Sequence, residues 1–397
     1  MNTEQQRGLP HSGTPNSEPL SGDNFHNARI VSLGTALPPY LVKQEDVRSL
    51  VYALFSKDYR GLERLMPVFE NTQIQTRYFS QPLEWFSEQH GFVESSRLYV
   101  ETASNLCFEA ASNAMRDAGL KPSDISMVVV VSTTGISTPS LDAKLIQRLS
   151  LPHTTRRLPI WGLGCAGGAA GLARSAELCR TLPENTYLLF VAVELCSLTF
   201  QRNDISKSNI VATSLFADGA AAVILKAEGN GIRDKGGNST SMTNDQATNA
   251  PMTNDLRILS SYSFLFDNTE DIMGWDVLES GLKVRFSRDI PTFIAEHLPN
   301  RVQEACAAWG IKREELHHFV VHAGGAKVLQ AYHDTLGIPL EELQPSYNVL
   351  RQHGNMSSVS VLFALKEFCQ TKSSSGDLGI LMALGPGFSA EFVLFQW

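Results

Sequence analysis

The chain has 397 residues, of which 43% are hydrophobic and 19% charged, and its net charge at neutral pH is −8. This composition is ordinary for a globular protein of two domains or one duplicated unit, and the acidic balance argues against nucleic acid as a partner. No apolar run approaches the ~18 residues of a membrane span. Residues 1–27 have no apolar signal core and are rich in Pro, Gly, Ser and Asn, so we expect a disordered leader on a cytoplasmic protein.

The predicted elements of the first half alternate between strands and helices. Residues 28–38 predict an opening strand, and residues 101–120 predict a helix with small and apolar residues on one face. Three uninterrupted apolar runs follow, at residues 126–135, 187–196 and 220–229. Such runs are typical of strands that are buried on both faces, so the pattern indicates an α/β fold.

A segment rich in Gly, Ser, Thr and Asn, residues 234–256, separates the two halves of the sequence. We expect it to be a mobile surface insertion between an N-terminal half, 28–233, and a C-terminal half, 257–397. A similar order of elements then returns, with strands at 256–266 and 281–287, a helix at 292–309, and further strands at 317–325, 378–387 and 390–397. The repeated order predicts two similar halves.

Cys165 lies in a stretch of very small residues, GLGCAGG, followed by helix formers at 169–178. This order predicts an extended segment, a sharp turn and a helix that begins near the cysteine. Because the positive end of a helix dipole lowers the pKa of a thiol, we expect a nucleophilic thiolate at neutral pH. A small buried core cysteine fits the local sequence equally well. The other cysteines show no CxxC spacing, so we expect reduced thiols and no metal site: Cys107, Cys179, Cys196, Cys306 and Cys369.

Two further residues complete a candidate catalytic set. His322 ends the predicted strand FVVH, where ligands gather in α/β sheets, although a satisfied core histidine is the alternative. Asn355 stands before an apolar helix, where a helix N-cap is the alternative. A thiol, an imidazole and an amide together supply a nucleophile, a base and a donor for an oxyanion. The combination favours catalysis over the separate structural roles.

These residues and their surroundings resemble the type III polyketide synthases, the chalcone-synthase-like family of the thiolase superfamily. The matching segments are GLGCAGG at Cys165, SLFADGAAAVIL at 214–225, VVHAGGAKVL at 320–329, HGNMSS at 353–358 and LGPGFSAE at 384–391. The resemblance covers residues 28–397 apart from the insertion. It implies an αβαβα thiolase-like fold, a homodimer, and an acyltransferase that needs neither metal nor organic cofactor.

The resemblance also implies a mechanism. Cys165, paired with His322, would attack an acyl-CoA thioester and hold the starter as an acyl-enzyme. His322 and Asn355 would donate hydrogen bonds to the enolate that forms when malonyl-CoA loses CO2. The enolate would attack the acyl group on Cys165, and the finished chain would cyclise in the same cavity.

Further positions of the family's cavity carry over to this sequence. Phe216 matches a gatekeeping phenylalanine, whereas a second gatekeeper falls on Val284, whose smaller side chain should open room. Trp275 replaces a small residue and should reshape the chamber. The remaining cavity and cyclisation-loop positions are Thr133, Thr138, Cys196, Thr199, Ser357, Gly385, Pro386, Gly387 and Phe388. The first five of these positions could equally serve packing alone.

Recognition of CoA is expected from basic residues at the tunnel entrance, because the CoA phosphates need cationic partners. Arg64 aligns with a basic tunnel position, and Lys327, next to Ala326, lies near the expected entrance. A further basic position of the plant enzymes falls on Asn71, which is a departure from the family pattern. Solvated surface charges are the alternative for Arg64 and Lys327.

These departures, the leader and the insertion resemble the fungal branch of the family, whose members take fatty acyl-CoA starters. We therefore expect a fatty acyl-CoA starter, few malonyl extensions and an alkyl or acyl α-pyrone, with a csypyrone-type synthase as one possibility. Aldol closure to an alkylresorcinol or alkylresorcylic acid is the alternative product. Three different functions compete with a polyketide synthase: a ketoacyl-ACP synthase III-like initiator, a hydroxymethylglutaryl-CoA synthase, for which we find no motif, and an inactive binding subunit.

Overall fold

A computed structural model describes residues 28–183, 186–227, 256–287, 289–371 and 376–397. The expected leader, 1–27, and all but the last residue of the expected insertion, 234–256, lie outside the described residues. The strands are β1 Ala28–Ala36, β2 Tyr40–Lys43, β3 Thr76–Phe79, β4 Ile125–Val131, β5 Arg156–Ile160, β6 Tyr187–Leu195, β7 Asp218–Ala227, β8 Arg257–Leu265, β9 Met273–Leu278, β10 Gly281–Phe286, β11 Leu316–Val321, β12 Leu378–Gly385 and β13 Ser389–Gln396. The helices are α1 Gln44–Phe55, α2 Val68–Asn71, α3 Phe92–Asp117, α4 Leu141–Arg148, α5 Gly167–Cys179, α6 Lys207–Leu215, α7 Ile290–Ala308, α8 Ala326–Leu336, α9 Leu340–His353 and α10 Ser360–Thr371.

Nine strands form one mixed sheet in the order β11-β12-β13-β8-β1-β7-β6-β4-β5. In the N-terminal part β1 pairs antiparallel with β7, β7 antiparallel with β6, and β6 parallel with β4. The C-terminal part repeats this pattern, because β8 pairs antiparallel with β13, β13 antiparallel with β12, and β12 parallel with β11. Within the sheet the two parts join at β1 and β8, which share two residue pairs in the described part of the chain, Ala28 with Ile258 and Arg29 with Arg257.

The apolar runs of the sequence form the innermost strands. Residues 127–131 of β4, 188–195 of β6 and 218–225 of β7 are buried without alternation, as expected for strands covered on both faces. The helix α3 packs on one face of β1, β6 and β7 through small residues such as Ala103, Ala110 and Ala114. The sequence predicted this helix but placed its start nine residues too late.

The helix α5 is the shared inner layer of the fold. It contacts β4, β6 and β7 of the N-terminal part and also β8, β12 and β13 of the C-terminal part. Ten of its residues are buried, around the whole circumference, and a helix that is small and apolar all round is suited to such a position. Cys165 directly precedes this helix, so the candidate site lies between the two parts.

The outer elements differ more from the sequence expectation. The segment Met273–Leu278, which carries Trp275, was not predicted as a strand, but it forms the two-stranded sheet β9–β10 outside the main sheet. Among the described residues no helix is both long and apolar enough to cross a membrane.

Candidate active site

Cys165 lies in a 3-10 turn, Gly164–Ala166, where the chain enters α5. Gly164 has a φ of +48°, and a Cβ at this position would stand 2.7 Å from the Pro386 ring, so only glycine fits. The Gly164 N–H donates to Thr133 Oγ1 at 3.0 Å. Cys165 itself is 4% exposed. The predicted turn at the start of a helix is therefore present. Thr133, two residues after the end of β4, stabilises it through this hydrogen bond.

Burial raises the pKa of the Cys165 thiol to about 12. Hydrogen bonds from the side chains of Ser357 and Asn355 oppose this rise, and the nearby carboxyl of Glu194 adds to it. Burial also lowers the pKa of His322 to about 4. Burial therefore works against the predicted thiolate, because desolvation opposes the effect of the helix N-terminus. Both shifts favour the neutral forms of the thiol and the imidazole.

His322 follows β11 directly, and its backbone N–H donates to the Met382 carbonyl at 2.9 Å. The residue is 4% exposed, yet neither ring nitrogen has a hydrogen-bond partner among the described residues. Buried polar atoms are normally paired, so an unpaired imidazole is costly unless another molecule supplies its partner. The alternative of a satisfied core histidine does not fit this geometry.

The side chain of Asn355 joins the other two candidate residues. Its Nδ2 donates to the carbonyl of Gly324, two residues beyond His322, at 3.0 Å, and its Oδ1 accepts from Ser357 N at 2.8 Å. These bonds fix which end of the amide carries the hydrogens, and they leave one Nδ2 hydrogen for another acceptor. Since Asn355 also hydrogen-bonds the Cys165 thiol, the three predicted catalytic residues lie in one buried region.

The sequence reasoning missed a buried carboxyl beside this region, Glu194 at the end of β6. Its Oε2 accepts hydrogen bonds from the Thr133 and Thr134 N–H groups at 3.0 and 3.1 Å and from the Thr134 hydroxyl at 2.8 Å. Its Oε1 accepts from the Ser358 hydroxyl at 2.6 Å. Burial nevertheless raises the pKa of Glu194 to about 7. The available signal was a single charge within the apolar run 187–196.

An apolar pocket of about 40 Å³ is lined by Phe216, the residue that bridges to Asn355. Four predicted cavity residues line it, namely Cys196, Thr199, Phe216 and Val284. The apolar side chains that complete most of its wall come from α1 and from segments near it: Val47, Leu50, Phe79, Phe86 and Phe200. Trp275 faces Val284 across the β9–β10 pair, and its ring centroid lies 6.5 Å from that of Phe216. The structure thus brings Phe216, Val284 and Trp275 together.

The loop after β12 packs directly on the Cys165 turn. A Cβ on Gly385 would stand 2.5 Å from the Ala166 Cβ, so the two segments touch backbone to backbone. Pro386 covers Gly164, and Gly387 follows with a φ of +130°. The ring of Phe388, however, is fully buried against Phe293 and Phe266, with centroids 5.2 and 6.2 Å away. Phe388 therefore lies in the aromatic core instead of lining the pocket.

The remaining predicted positions lie apart from the pocket. Thr138 is exposed on the surface of the single chain, because the segment after Gly135 leaves the core. Arg64, in a short 3-10 helix, and Lys327, near the start of α8, are both exposed, whereas Ala326 is buried. A contact between these residues and CoA stays a prediction.

Comparison with known proteins decides the family. Residues 21–229 match the N-terminal domain of chalcone and stilbene synthases, and residues 257–396 match the C-terminal domain of the same enzymes. The chain belongs to the chalcone and stilbene synthase family. It is a type III polyketide synthase, an acyltransferase that uses acyl-CoA and malonyl-CoA and needs no cofactor. No group of metal-binding side chains occurs within the described ranges.

Three relatives illustrate the family's range. A putative chalcone synthase of Bacillus subtilis is 39% identical and covers 93% of this chain and 99% of its own length. An α-pyrone synthesis polyketide synthase-like protein of Mycobacterium tuberculosis is 28% identical over 93% of this chain and 91% of its own length. The chain is also similar to the crystal structure of 1,3,6,8-tetrahydroxynaphthalene synthase from Streptomyces coelicolor, a bacterial type III polyketide synthase. The two share 29% sequence identity and superpose with a TM-score of 0.81, over 93% of this chain and 99% of the Streptomyces chain. This likeness confirms the predicted thiolase-like α/β fold.

Proposed function

We propose that the chain condenses a fatty acyl-CoA starter with malonyl-CoA on Cys165 and releases an alkyl or acyl α-pyrone. The observation that carries this proposal is the apolar pocket between Phe216, Val284 and α1. A hydrocarbon chain gains about 0.8 kcal/mol for each buried methylene, so the apolar lining favours a hydrocarbon starter over a malonyl group.

In the first step the Cys165 sulfur attacks the thioester carbonyl of the starter. The neutral imidazole of His322 accepts the thiol proton and returns it to the sulfur of the departing CoA, so the products are an acyl-enzyme and free CoA. The absence of a partner on either His322 nitrogen, within the described part of the chain, supports this role because the base is free to contact substrate.

In the second step malonyl-CoA loses CO2, and the electron pair of the broken C–C bond becomes an enolate on the thioester oxygen. His322 donates to this oxygen, which is where charge develops, and so does the Nδ2 hydrogen of Asn355 that contacts the Cys165 sulfur in the free enzyme. The enolate carbon attacks the acyl carbonyl on Cys165, a C–C bond forms, and the Cys165 thiolate leaves to be reloaded.

Ring closure by lactonisation is the finer part of the proposal. It is supported by the similarity to the Mycobacterium tuberculosis protein, whose name includes α-pyrone synthesis. Aldol closure to an alkylresorcinol or alkylresorcylic acid is the competing outcome. Membership of the fungal branch, including a csypyrone-type synthase, stays a prediction, and the three relatives above are bacterial.

We also propose a homodimer. The strand β5 is an edge of the nine-stranded sheet, and two large apolar side chains near it, Ile136 and Trp161, are each 53% exposed. An unprotected edge beside exposed apolar residues favours pairing with a second copy of the chain. Thr138 belongs to the same surface, so a role in a cavity would require the partner. Light scattering of purified protein should give twice the chain mass, and a monomer at micromolar concentration would contradict the dimer.

The test of the activity is mass spectrometry of products formed from malonyl-CoA and acyl-CoAs of about C4 to C18. We expect α-pyrones that are absent with Cys165→Ala and present with Cys179→Ala. Cys179 is a matched control because it is a buried cysteine at the far end of the same helix. Affinity for the starter should rise about fourfold for each added methylene until the pocket is filled.

Each remaining outcome points to a different function. Resorcinols would establish aldol closure, and 1,3,6,8-tetrahydroxynaphthalene would favour an activity like that of the Streptomyces coelicolor relative. A single condensation that requires acyl carrier protein would contradict the proposal in favour of an initiating ketoacyl synthase. Binding of CoA esters without any turnover would indicate a binding subunit.

The variant Val284→Phe tests the pocket itself. A phenyl ring at this lining position fills space beside Phe216, so we expect the preferred starter to shorten while acetyl-CoA is still used. If Val284→Phe prefers the same starter lengths as the wild type, the acyl chain does not bind in this pocket.

A further inference from the structure

A fully buried arginine, Arg77 on β3, has no part in the mechanism described so far. Its side chain is 0% exposed, and burial lowers the pKa of the guanidinium to about 9, an effect that the nearby Asp218 carboxyl opposes. Burying a guanidinium is expensive unless its donors are used. The groups that it binds therefore indicate what the residue does.

The donors of Arg77 converge on the segment that carries the gatekeeping Phe216. Nη1 donates to the Thr213 carbonyl at 2.6 Å and to the Phe216 carbonyl at 2.8 Å, and Nη2 donates to Gln44 Oε1 at 2.7 Å. Thr213 belongs to the last turn of α6, whose carbonyls lack partners within the helix and favour a cation. Arg77 thus caps α6 and holds the first residue after it.

The same segment is bound from its other side by Asn355. The Asn355 N–H donates to the Leu215 carbonyl and the Ala217 N–H donates to the Asn355 carbonyl, both at 2.9 Å, which makes a parallel bridge between Phe216 and Asn355. Gly354, with a φ of +70°, lies on the Arg77 stem, since a Cβ there would stand 2.8 Å from the arginine Cγ and Cδ. Arg77 therefore contacts both segments that form the bridge, the one with Phe216 and the one with Asn355.

We propose that Arg77 is a positioning residue, which sets the Asn355 amide relative to Cys165 by holding the Phe216–Asn355 bridge. The inference rests on the proposed role of Asn355. Without the guanidinium, the buried carbonyls of Thr213 and Phe216 lose their donor, and such groups are costly to leave unpaired. The segment would shift toward other donors and carry Asn355 with it.

A displaced Asn355 should affect one step more than the others. The amide stabilises the enolate and must also present it to the acyl group on Cys165, so misplacement by a fraction of an ångström uncouples decarboxylation from C–C bond formation. The measurement is the coupling ratio, which is the condensation product formed per CO2 released, with kcat and KM determined for malonyl-CoA.

For Arg77→Met we expect the coupling ratio and kcat to fall on the order of 10- to 100-fold, with a smaller change in KM. Arg77→Lys should give an intermediate coupling ratio. The lysine ammonium can donate to the Thr213 and Phe216 carbonyls, but the hydrogen bond to Gln44 is lost. Arg180→Met is the matched control. Arg180 is also substantially buried, donates to two backbone carbonyls, those of Ile258 and Leu259, at 3.0 Å each, and has an unpartnered Nε among the described residues. Arg180→Met should lower the unfolding midpoint and leave the coupling ratio unchanged.

An Arg77→Met protein with normal coupling and reduced stability would overturn the proposal, since it would assign the arginine to structure alone. Should this variant fail to fold, Gln44→Met removes the Nη2 partner and should still lower the ratio by a smaller factor, and a normal ratio there would count against the proposal. Asn355→Ala, measured in parallel, separates the two ideas. If its coupling ratio is normal, the role proposed for Asn355 fails, whereas an uncoupled Asn355→Ala beside a coupled Arg77→Met refutes only the inference about Arg77.

Discussion

Two buried titratable groups of the candidate site, Glu194 and His322, differ in whether the fold supplies their hydrogen-bond partners. Glu194 accepts four hydrogen bonds from three residues. His322 is equally buried, yet neither of its ring nitrogens has a partner in the described part of the chain. Hydrogen bonds within the protein fix the position of Glu194. The ring nitrogens of His322 can instead form hydrogen bonds with a molecule that the protein binds. From this contrast we propose a supporting role for Glu194 and a chemical role for His322.

The strongest test of this contrast replaces the unsatisfied group. His322→Gln should lower kcat for condensation by about 10²- to 10⁴-fold, because the base and one enolate donor are lost. The free energy of unfolding should not fall, since no hydrogen bond is broken. His318→Gln is the control, because His318 lies beside Glu342 and Asp377 and its loss should cost stability and leave kcat unchanged. A destabilised but active His322→Gln protein would reverse the assignment.

The second test asks whether the thiol beside these groups is neutral. Because burial raises the pKa of Cys165 to about 12, the thiolate fraction should grow about tenfold per pH unit between pH 7 and 9. The rate of alkylation by iodoacetamide, followed at Cys165 by peptide mass mapping, should rise by the same factor, and Cys165→Ala gives the background. A flat profile over this range would show that the helix N-terminus and His322 overcome the burial.

The third test concerns the satisfied group. Burial raises the pKa of Glu194 from 4.5 to about 7, so its stabilising contribution is complete below pH 4.5 and is lost as the pH rises through 7. Glu194→Gln keeps a neutral group at every pH. Relative to the wild type, its free energy of unfolding in urea should therefore improve by about 2 kcal/mol between pH 5 and 8.

Glu101→Gln, at an exposed position, is the control for the loss of one carboxylate from the chain. A difference between Glu194→Gln and the wild type that is independent of pH would mean that Glu194 stays ionised over the whole range.

The smallest expected effect comes from removing one donor to Glu194. Ser358→Ala leaves Oε1 without its 2.6 Å hydrogen bond and should cost about 1 kcal/mol in urea unfolding. Ser49→Ala, on the exposed side of α1, should cost less. Equal losses for the two variants would show that the Glu194 cluster is not specially stabilising.

Much of the fold was predictable because its signals are local. The apolar runs at 126–135 and 187–196 became the buried strands β4 and β6, since a strand covered on both faces needs no polar alternation. The small residues around Cys165 predicted a sharp turn into a helix, and the turn is there. The strand that carries Trp275 was missed because its sequence, MGWDVL, lacks both a long apolar run and regular alternation.

The candidate site was predictable in its residue types but not in its electrostatics. Cys165, His322 and Asn355 were found from glycine-flanked ends of predicted elements and from the family resemblance. Their protonation could not be predicted, because a helix N-terminus is visible in sequence whereas the depth of burial, which raises the pKa of Cys165, is not. Glu194 and Arg77 were overlooked for a related reason, since the partners of each come from segments far apart in the chain.

The sequence by itself determined the α/β fold, the family and the candidates for the reactive side chains, because hydrophobic periodicity and short glycine-rich motifs are properties of neighbouring residues. Only the tertiary structure decided which buried polar groups are satisfied, which lining residues share a pocket, and that Phe388 belongs to the core. These outcomes depend on distance and desolvation between residues as far apart as Thr133 and Ser358, and such quantities exist only once the chain has folded.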